Sequence, residues 1–252
     1  MNSDVKIYVC HHKEYWTCKT DIIEPIQVGK ANSSLILNMI GDDTGENISH
    51  RNPNFCELTA MYWAWKNVKH DYIGFCHYRR YLSFLDYPES VITLSEINQQ
   101  TLEHTKIYDD NAILDAISNT DIIVPKKFNH EPFTVSFQYL YNHIKEDWDI
   151  MINVLLEKYP ESLDLVNKVL YEGKEMYPFN MFIMNYEIFN IYMEWLFDIL
   201  FEVEKRIFIS QYPYQARVFG FMAERLFSLF IAILNEKIPL RIKEVNTVYF
   251  NF

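Results

Sequence analysis

Three short runs of β-branched and aromatic residues alternate with helical patterns in the first half of the chain, and this alternation does most to constrain the fold. The runs are VKIYVC, DYIGFC and DIIVP, at residues 5–10, 71–76 and 121–125. Apolar residues recur at spacings of three and four over residues 53–69, which predicts a helix. Buried strands that alternate with helices are typical of an α/β sheet with partly parallel strands.

The second half of the chain is helical in pattern. One further strand is predicted there, at residues 179–184. The predicted helices cover residues 136–159, 162–171, 187–205 and 216–234. We therefore expect a single α/β domain over residues 1–252, with the sheet in residues 1–130 and a largely helical part in residues 131–252.

The charge of the chain limits its partners. A net charge of −11 repels the phosphate backbone of nucleic acid and provides no broad basic face for anionic lipid. Aromatic residues make up 16% of the chain, which excludes a disordered or low-complexity protein. We expect no nucleic-acid partner, and any site for phosphate must be local.

Cysteine usage and hydropathy favour the cytoplasm. The four cysteines show no CxxC spacing, so they indicate neither a zinc site nor a disulfide framework. The first residues carry Asp4 and Lys6 and do not resemble a signal peptide. The most apolar stretch, residues 226–234, is shorter than the roughly 20 residues of a membrane span. The sequence therefore predicts a cytoplasmic protein with a buried helix at that stretch.

Common nucleotide and metal motifs are missing from the sequence. Neither GxGxxG nor GxxxxGK[ST] occurs, so the residues give no sign of a Rossmann dinucleotide site or a P-loop. His11 and His12 are neighbours, and neighbouring residues of a strand point to opposite faces, which makes them a poor metal site. We predict no metal ligands.

The strand predicted at residues 71–76 ends in a cluster of cationic and aromatic residues, His77, Tyr78, Arg79 and Arg80. Ligands of open α/β sheets bind beyond the carboxyl ends of strands, so these side chains stand where a ligand would lie. Arginine is suited to bidentate contact with phosphate. The alternative is a solvated basic turn in which one arginine pairs with a nearby carboxylate.

The segment ISHRNPNFCELTAMYWAWKN, at residues 48–67, offers a second candidate site. A helix N-terminus has free backbone N–H groups, and Arg51 and Asn54 add donors, so an anion could dock there. Glu57 needs a partner if it is buried, and Lys66 or Arg79 could supply one. The aromatic residues of this helix could stack on a base or could pack in the core.

Two further groups of polar residues lie in the helical half. Gly220 interrupts an apolar helix at a cost of about 1 kcal/mol relative to alanine, which indicates a close approach of another group. Glu224 on the same helix could act as a general base or could form a salt bridge with Arg217 or Arg225. His143 and Asp147, four residues apart, could be acceptor contacts or a surface pair.

These motifs, in this order, resemble a known family. The segments ISHRNPNFCELTAMYWAWKN, DYIGFCHYRRYL, YPFNMFIM, EWLFDILFEVEKR and QARVFGFMAERL are similar to those of the capsular and exopolysaccharide glycosyltransferase family long catalogued as a domain of unknown function. The likeness runs from about residue 5 to residue 235. It implies a GT-A-like fold, in which helices flank a sheet that binds a nucleotide-sugar. Members are associated with galactofuranosyl transfer, so the expected reaction moves a hexosyl group from a UDP-sugar.

The resemblance also implies roles for single residues. His143 and Arg217 would bind the acceptor, and Glu224, with Asp147 as its substitute, would take the acceptor proton. Asn180 would face the transferred sugar. The full set of implied donor-binding residues is His11, Lys13, Arg51, Asn54, Glu57, Lys66, His77, Tyr78, Arg79, Arg80 and Asn180.

The end of the second strand departs from the GT-A pattern. GT-A enzymes usually carry an Asp-x-Asp there, which holds a metal against the diphosphate, whereas this chain has His77-Tyr78-Arg79-Arg80. We hypothesise that these cations neutralise the leaving diphosphate in place of a divalent ion. No tightly bound cofactor is expected, and a divalent metal would not be required.

The resemblance finally implies partners. Residues 1–130 would form the donor-nucleotide half and residues 131–252 the acceptor half. The partners are a nucleotide-sugar and a lipid-linked oligosaccharide, which would bring the protein into peripheral contact with the inner face of the cytoplasmic membrane. Two other functions stay open, a non-catalytic carbohydrate-binding or scaffold subunit and a sugar-phosphate transferase. The sequence leaves the donor sugar, the linkage, the anomeric outcome and the oligomeric state open.

Overall fold

The structure, a computed structural model, describes residues 3–251. Its strands are β1 (Val5–His11), β2 (Ile23–Gln27), β3 (Ile40–Gly41), β4 (Tyr72–His77), β5 (Arg80–Ser83), β6 (Val91–Leu94), β7 (Ile122–Pro125), β8 (Phe128–Asn129), β9 (Glu175–Met176), β10 (Phe182–Asn185) and β11 (Ile242–Phe250). Its α-helices are α1 (Asn52–Phe55), α2 (Leu58–Asn67), α3 (Gln99–Thr105), α4 (Asp110–Ile117), α5 (Val135–Asn142), α6 (Lys145–Lys158), α7 (Leu163–Val166), α8 (Tyr186–Glu204) and α9 (Val218–Lys237).

Within this range, nine strands form one mixed sheet. β3, β2, β1 and β4 are parallel neighbours, and β10 lies antiparallel between β4 and β7. β7 is parallel to β11, which also pairs with β6 and, antiparallel, with β5. β8 and β9 form a separate two-stranded sheet. The carboxyl ends of β1, β4 and β7 and the start of β10 therefore lie along one edge of the main sheet.

Helices cover both faces of the main sheet. Successive strand residues point to opposite faces, so Tyr8 and Phe75 enter the larger core, together with residues of α2, α6, α8 and α9. Ile7 and Ile183 enter the smaller core, which includes the apolar side of α4. Because both faces are buried, the central strands appear in the sequence as continuous apolar runs. The predicted α/β class is confirmed.

The second half of the chain contributes more to the sheet than its helical pattern predicted. β11 was not predicted, although it is nine residues long and pairs with three other strands. Its first half carries Lys243 and Glu244, which are exposed. The strand therefore lacks the continuous apolar run that identified β1 and β4.

Two predicted helices are interrupted. The helix predicted over residues 53–69 breaks at Cys56, whose φ of 52° lies outside the helical range, and this break separates α1 from α2. The helix predicted over residues 136–159 breaks at His143, whose backbone is extended, and this break separates α5 from α6. Both breaks place residues at the carboxyl edge of the sheet.

The strand predicted at residues 179–184 begins later than its sequence indicated. β10 starts at Phe182, because Phe179 and Asn180 have φ angles of 73° and 50°, which no strand residue adopts. These two residues form a turn at the same edge of the sheet where β1 and β4 end.

Among residues 3–251, one helical stretch, Gln215–Lys237, is long and apolar enough to cross a membrane by length and composition alone. Of its most apolar window, 67% is buried inside the protein. Leu226 and Phe227 within it are fully buried in the larger core. The stretch therefore packs as a core helix of this fold, as the sequence predicted for residues 226–234.

Candidate active site

A cavity of about 880 Å³ opens at the sheet edge where β1 and β4 end and β10 begins. Cavities of this size hold organic ligands with several polar groups. The lining residues come from the strand ends, from α1, α5 and α9, and from the turns between these elements. They are Cys10, His12, Lys13, Val28, Asn52, Pro53, Cys56, Glu57, His77, Tyr78, Arg79, Arg80, Gln138, Asn142, His143, Phe179, Pro213, Tyr214, Ala216, Arg217, Phe221, Glu224 and Arg225.

Cationic side chains dominate the charge of this cavity. Lys13, Arg79, Arg80 and Arg217 line it, and none of them forms a salt bridge with a carboxylate in the part of the chain that the structure describes. The alternative of a basic turn with a paired arginine therefore does not apply to Arg79 or Arg80. In a chain of net charge −11, such a cluster creates a local positive field that suits an anionic ligand.

Arg79 and Arg80 are held by the strand pair β5 and β11. Arg80 pairs with Tyr249 in the register of these strands, and its guanidinium carbon lies 4.9 Å from the centre of the Tyr249 ring. The Phe179 ring covers the same guanidinium at 4.7 Å. Burial lowers the pKa of Arg80, but arginine titrates so far above neutral pH that the group stays charged.

Two carboxylates, Glu57 and Glu224, face these cations. Oε1 of Glu57 accepts a hydrogen bond from Nδ2 of Asn180 at 2.6 Å. Glu224 accepts from the Phe179 N–H at 3.2 Å and from Arg225 Nη1 at 3.0 Å. Burial raises the pKa of Glu224, and the neighbouring Arg225 opposes that rise. The cavity therefore combines a site for an anion with candidate proton acceptors.

Backbone with positive φ surrounds the two carboxylates. Cys56, Phe179 and Asn180 all have φ angles in the left-handed region, where residues other than glycine are uncommon. Two hydrogen bonds hold the 179–180 turn, one between His77 Nε2 and the Phe179 carbonyl at 2.7 Å and one from Asn180 Nδ2 to the Gly220 carbonyl at 3.1 Å. Backbone of this kind clusters at functional sites.

Gly220 allows the walls of the cavity to approach each other. A Cβ atom at this position would lie 3.2 Å from Cys56 Sγ, which is tighter than ordinary contacts. The close approach that the sequence indicated at Gly220 is therefore confirmed. It brings α9, which carries Glu224, against the junction of α1 and α2, which carries Glu57.

A protein-family model matches most of the chain. The family is described as a domain of unknown function, DUF4422, and the match covers residues 6–236. The chain belongs to this family. The resemblance found in the sequence motifs is thereby confirmed, and the cavity described above is the candidate site of a DUF4422 domain.

A solved structure also resembles this DUF4422 chain. The apo structure of the WbbM bifunctional glycosyltransferase matches it with a TM-score of 0.89 and 35% sequence identity. The match covers 99% of this chain and 46% of that one, so the chain spans about half the length of that protein. No curated protein matches the chain.

Most of the residues that the sequence analysis predicted for the active site line the DUF4422 cavity. Those that line it are Lys13, Glu57, His77, Tyr78, Arg79, Arg80, His143, Arg217 and Glu224. Others lie directly beside it. The His11 ring lies 5.7 Å from the Tyr78 ring, and Asn54 Nδ2 donates to the Ala216 carbonyl at 2.9 Å, while Asn180 holds Glu57.

Arg51 and Lys66 lie outside the cavity. Arg51 forms a salt bridge with Glu204 at 2.7 Å, so its guanidinium already has a carboxylate partner. The Lys66 ammonium lies 3.3 Å from the centre of the Trp65 ring, in a separate surface depression. Lys66 therefore does not pair with Glu57. Trp65 stacks against Phe197 in the larger core, which supports core packing for the aromatic residues of this helix.

Asp147 also lies outside the cavity. It is buried in the first turn of α6, where burial raises its pKa to about 6. His143, by contrast, lines the cavity and stacks on Phe221, with 4.0 Å between ring centres. The two residues do not share a helical face, because α5 ends before His143 and α6 begins after it.

Several residues that line the cavity were not predicted as site residues. Gln138 and Arg225 are joined by a hydrogen bond, and Tyr214 packs against Phe221 with 5.1 Å between ring centres. His12 lies next to the predicted Lys13 and packs edge-on against Tyr78. Arg225 was proposed from the sequence as a salt-bridge partner of Glu224, and that salt bridge is present at 3.0 Å. His12 neighbours the predicted Lys13, and this adjacency was the available signal. Gln138 and Tyr214 carried no such signal.

Several buried polar atoms without a protein partner, among the described residues, lie at or beside the cavity. They include both ring nitrogens of His11, Nε of Arg79, Oδ1 of Asn180 and Nε of Arg225. Native proteins pair most buried polar groups. These atoms therefore retain unused capacity for hydrogen bonds with a polar group that enters the cavity. The described residues contain no group of three or more histidine, cysteine, aspartate or glutamate side chains placed to hold a metal ion.

The histidines of the site stay neutral near pH 7. Burial lowers the pKa of His11 to about 4, and the adjacent His12 adds to the effect. Burial and Arg225 likewise lower the pKa of His143 to about 4. The positive field of the cavity therefore comes from its arginines and its lysine.

We expect the His11→Phe variant to lose less thermal stability than the wild type between pH 7 and pH 5. The pKa of His11 falls from 6.5 to about 4 on folding, so the unfolded chain binds the proton first as the pH decreases. His11 therefore destabilises the fold progressively between pH 6.5 and pH 4, and phenylalanine cannot. Thermal unfolding at the two pH values measures the difference. The exposed His50→Phe variant is the control, and an equal loss in His11→Phe and wild type would contradict the prediction.

Proposed function

We propose that this chain is a glycosyltransferase that moves a hexosyl group from a UDP-sugar to a glycan acceptor in the synthesis of capsule, O-antigen or exopolysaccharide. The main support is the cavity lined by Lys13, Arg79, Arg80 and Arg217, which lack carboxylate partners among the described residues. A nucleoside diphosphate is an anion that such a set would bind. This chain also matches about half of a bifunctional glycosyltransferase, and that similarity supports glycosyltransferase activity here.

In this proposal the arginines of the β4–β5 turn act on the donor. Arg79 and Arg80 contact the diphosphate and neutralise the charge that develops as the nucleoside diphosphate leaves. Lys13 and Tyr78 lie at the ends of neighbouring strands, where the nucleoside would bind. Four parallel strands followed by the antiparallel β10 are compatible with the GT-A type. No divalent metal is required if the arginines fulfil this role.

The acceptor would approach from the side of His143 and Arg217. Galactofuranose is the candidate sugar, because the family that the motifs resemble is associated with its transfer. An oligosaccharide on a lipid carrier would be the acceptor. The protein would then work in the cytoplasm, in peripheral contact with the inner face of the membrane.

UDP is expected to raise the melting temperature of the purified protein more than GDP or CMP at equal concentration. A ligand that binds only the native state stabilises it by about 2.7 kcal/mol at a hundredfold excess over Kd. A thermal-shift series with UDP, GDP, CMP and several UDP-sugars, with and without manganese, measures this effect. Equal shifts with all three nucleotides would contradict a UDP-specific donor site.

The products of turnover separate the proposal from its alternatives. A glycosyltransferase releases UDP from a UDP-sugar, whereas a sugar-phosphate transferase releases UMP. A carbohydrate-binding or scaffold subunit need not bind any nucleotide, so the absence of every nucleotide shift would favour that function. Chromatography of the released nucleotide therefore tests the reaction class independently of the donor sugar.

A further inference from the structure

The two carboxylates of the cavity differ in how the protein uses their oxygens. Both oxygens of Glu224 accept hydrogen bonds, Oε1 from the Phe179 N–H at 3.2 Å and Oε2 from Arg225 Nη1 at 3.0 Å. Glu57 accepts one, at Oε1 from Asn180 Nδ2 at 2.6 Å. In the described part of the chain, no protein donor reaches Oε2 of Glu57. Oε2 of Glu57 can therefore accept a proton without breaking the hydrogen bond from Asn180 to Oε1.

Glu57 is also held in place. Its partner Asn180 is 2% exposed and donates a second hydrogen bond to the Gly220 carbonyl at 3.1 Å. The positive φ of Cys56 turns the chain immediately before Glu57, and α2 begins immediately after it. A carboxylate with one oxygen fixed and the other free in the cavity is the arrangement that a general base needs.

We propose that Glu57 is the general base of an inverting sugar transfer, an inference that rests on the proposed function. The acceptor hydroxyl oxygen forms a bond to the anomeric carbon while the bond from that carbon to the diphosphate oxygen breaks. The hydroxyl proton moves to Oε2 of Glu57. The electron pair of the broken bond leaves with the nucleoside diphosphate, whose charge Arg79 and Arg80 hold.

Glu224 has a different task in this assignment. Its two hydrogen bonds fix the Phe179 backbone and the Arg225 guanidinium, which also donates to the Phe221 carbonyl and to Gln138. Glu224 therefore holds the 179–180 turn that positions Asn180. Loss of this carboxylate would loosen the wall of the cavity, whereas the carboxylate of Glu57 would still be able to accept a proton.

The test compares three glutamate-to-glutamine variants, at Glu57, Glu224 and Glu236. Glutamine at position 57 can still accept the hydrogen bond from Asn180, so the variant keeps its local geometry but cannot take a proton. Glu236 is exposed near the end of α9 and serves as the matched control.

The assay follows UDP release from UDP-galactofuranose, UDP-galactose, UDP-glucose and UDP-N-acetylglucosamine, with water or octyl β-galactoside as acceptor. The melting temperature with and without UDP reports folding and donor binding.

We expect Glu57→Gln to lower turnover about 10²–10⁴-fold, the usual contribution of a general base, while the thermal shift with UDP stays at its wild-type value. Glu224→Gln is expected to lower the melting temperature and to lose less turnover, and Glu236→Gln to match the wild type. Added formate is expected to restore part of the turnover of Glu57→Ala, since it supplies a carboxylate where the side chain was removed, and not that of Glu224→Ala.

Two results would overturn the assignment while the wild type still transfers sugar. One is a Glu57→Gln variant that keeps more than a tenth of wild-type turnover. The other is a product that retains the anomeric configuration of the donor, as read by NMR. Absence of wild-type turnover with all four donors would instead overturn the proposed function, and the role of Glu57 with it.

Discussion

Replacement of Arg80 by methionine is expected to lower turnover of the sugar donor about 10²–10³-fold while the protein stays folded. A preorganised donor aimed at the charge of the transition state contributes an effect of this size, and Arg80 has no carboxylate partner among the described residues. Methionine is apolar and similar in length, so it can fill the space between the Phe179 and Tyr249 rings. Steady-state kinetics and thermal unfolding of the same preparation measure both parts of the expectation.

The control for this variant is Arg206→Met. Arg206 forms surface salt bridges with Glu157 and Glu202, which contribute little to stability and lie apart from the cavity residues. The Arg206→Met variant should therefore keep wild-type turnover.

The wild type should also turn over fully in the presence of EDTA, because the hypothesis gives the task of a metal ion to the arginines. Turnover that depends on added manganese would contradict that hypothesis.

Phe227→Ala is expected to lower the free energy of unfolding by about 3–5 kcal/mol, the range measured for large aromatic residues removed from cores. Phe227 is fully buried on α9, and its ring centre lies 5.3 Å from that of Phe182 and 5.2 Å from that of Tyr192. It therefore joins α9 to the sheet and to α8. Urea denaturation followed by tryptophan fluorescence measures the change.

Phe208→Ala provides the matched comparison. Phe208 is 82% exposed, so the same substitution there should change the unfolding free energy by less than about 0.5 kcal/mol. Similar losses in the two variants would mean that α9 is not packed as the structure describes. Phe227 does not line the cavity, so Phe227→Ala should reduce turnover only in proportion to the unfolded fraction.

The parts of the fold that the sequence predicted well are those with local signals. β1, β4 and β7 are continuous apolar runs because both faces of the sheet are covered, and such runs are visible in a window of a few residues. The cluster from His77 to Arg80 was found because ligands of open sheets bind at the carboxyl ends of strands. These inferences needed no knowledge of which strands are neighbours.

The parts that were missed depend on contacts between distant residues. Glu57 and Asn180 are partners across 123 positions, and no local pattern connects them. The break at Cys56 arises where Gly220 and Arg217 pack against it, so helical periodicity alone ran through it. Lys66 and Asp147 were assigned to the site from the family resemblance, whereas their helices direct them to other surroundings.

The position of β11 determines when, during synthesis of the chain, the anion site can form. Arg80 is in register with Tyr249, and the Phe250 N–H donates to the Arg79 carbonyl at 2.8 Å. The two arginines are thus fixed by residues that the ribosome adds some 170 positions later. Contacts of such long range form late and slow the folding of a chain. The anion site can therefore be completed only after residue 250 has left the ribosome, and a chain that stops before β11 lacks the contacts that fix Arg79 and Arg80.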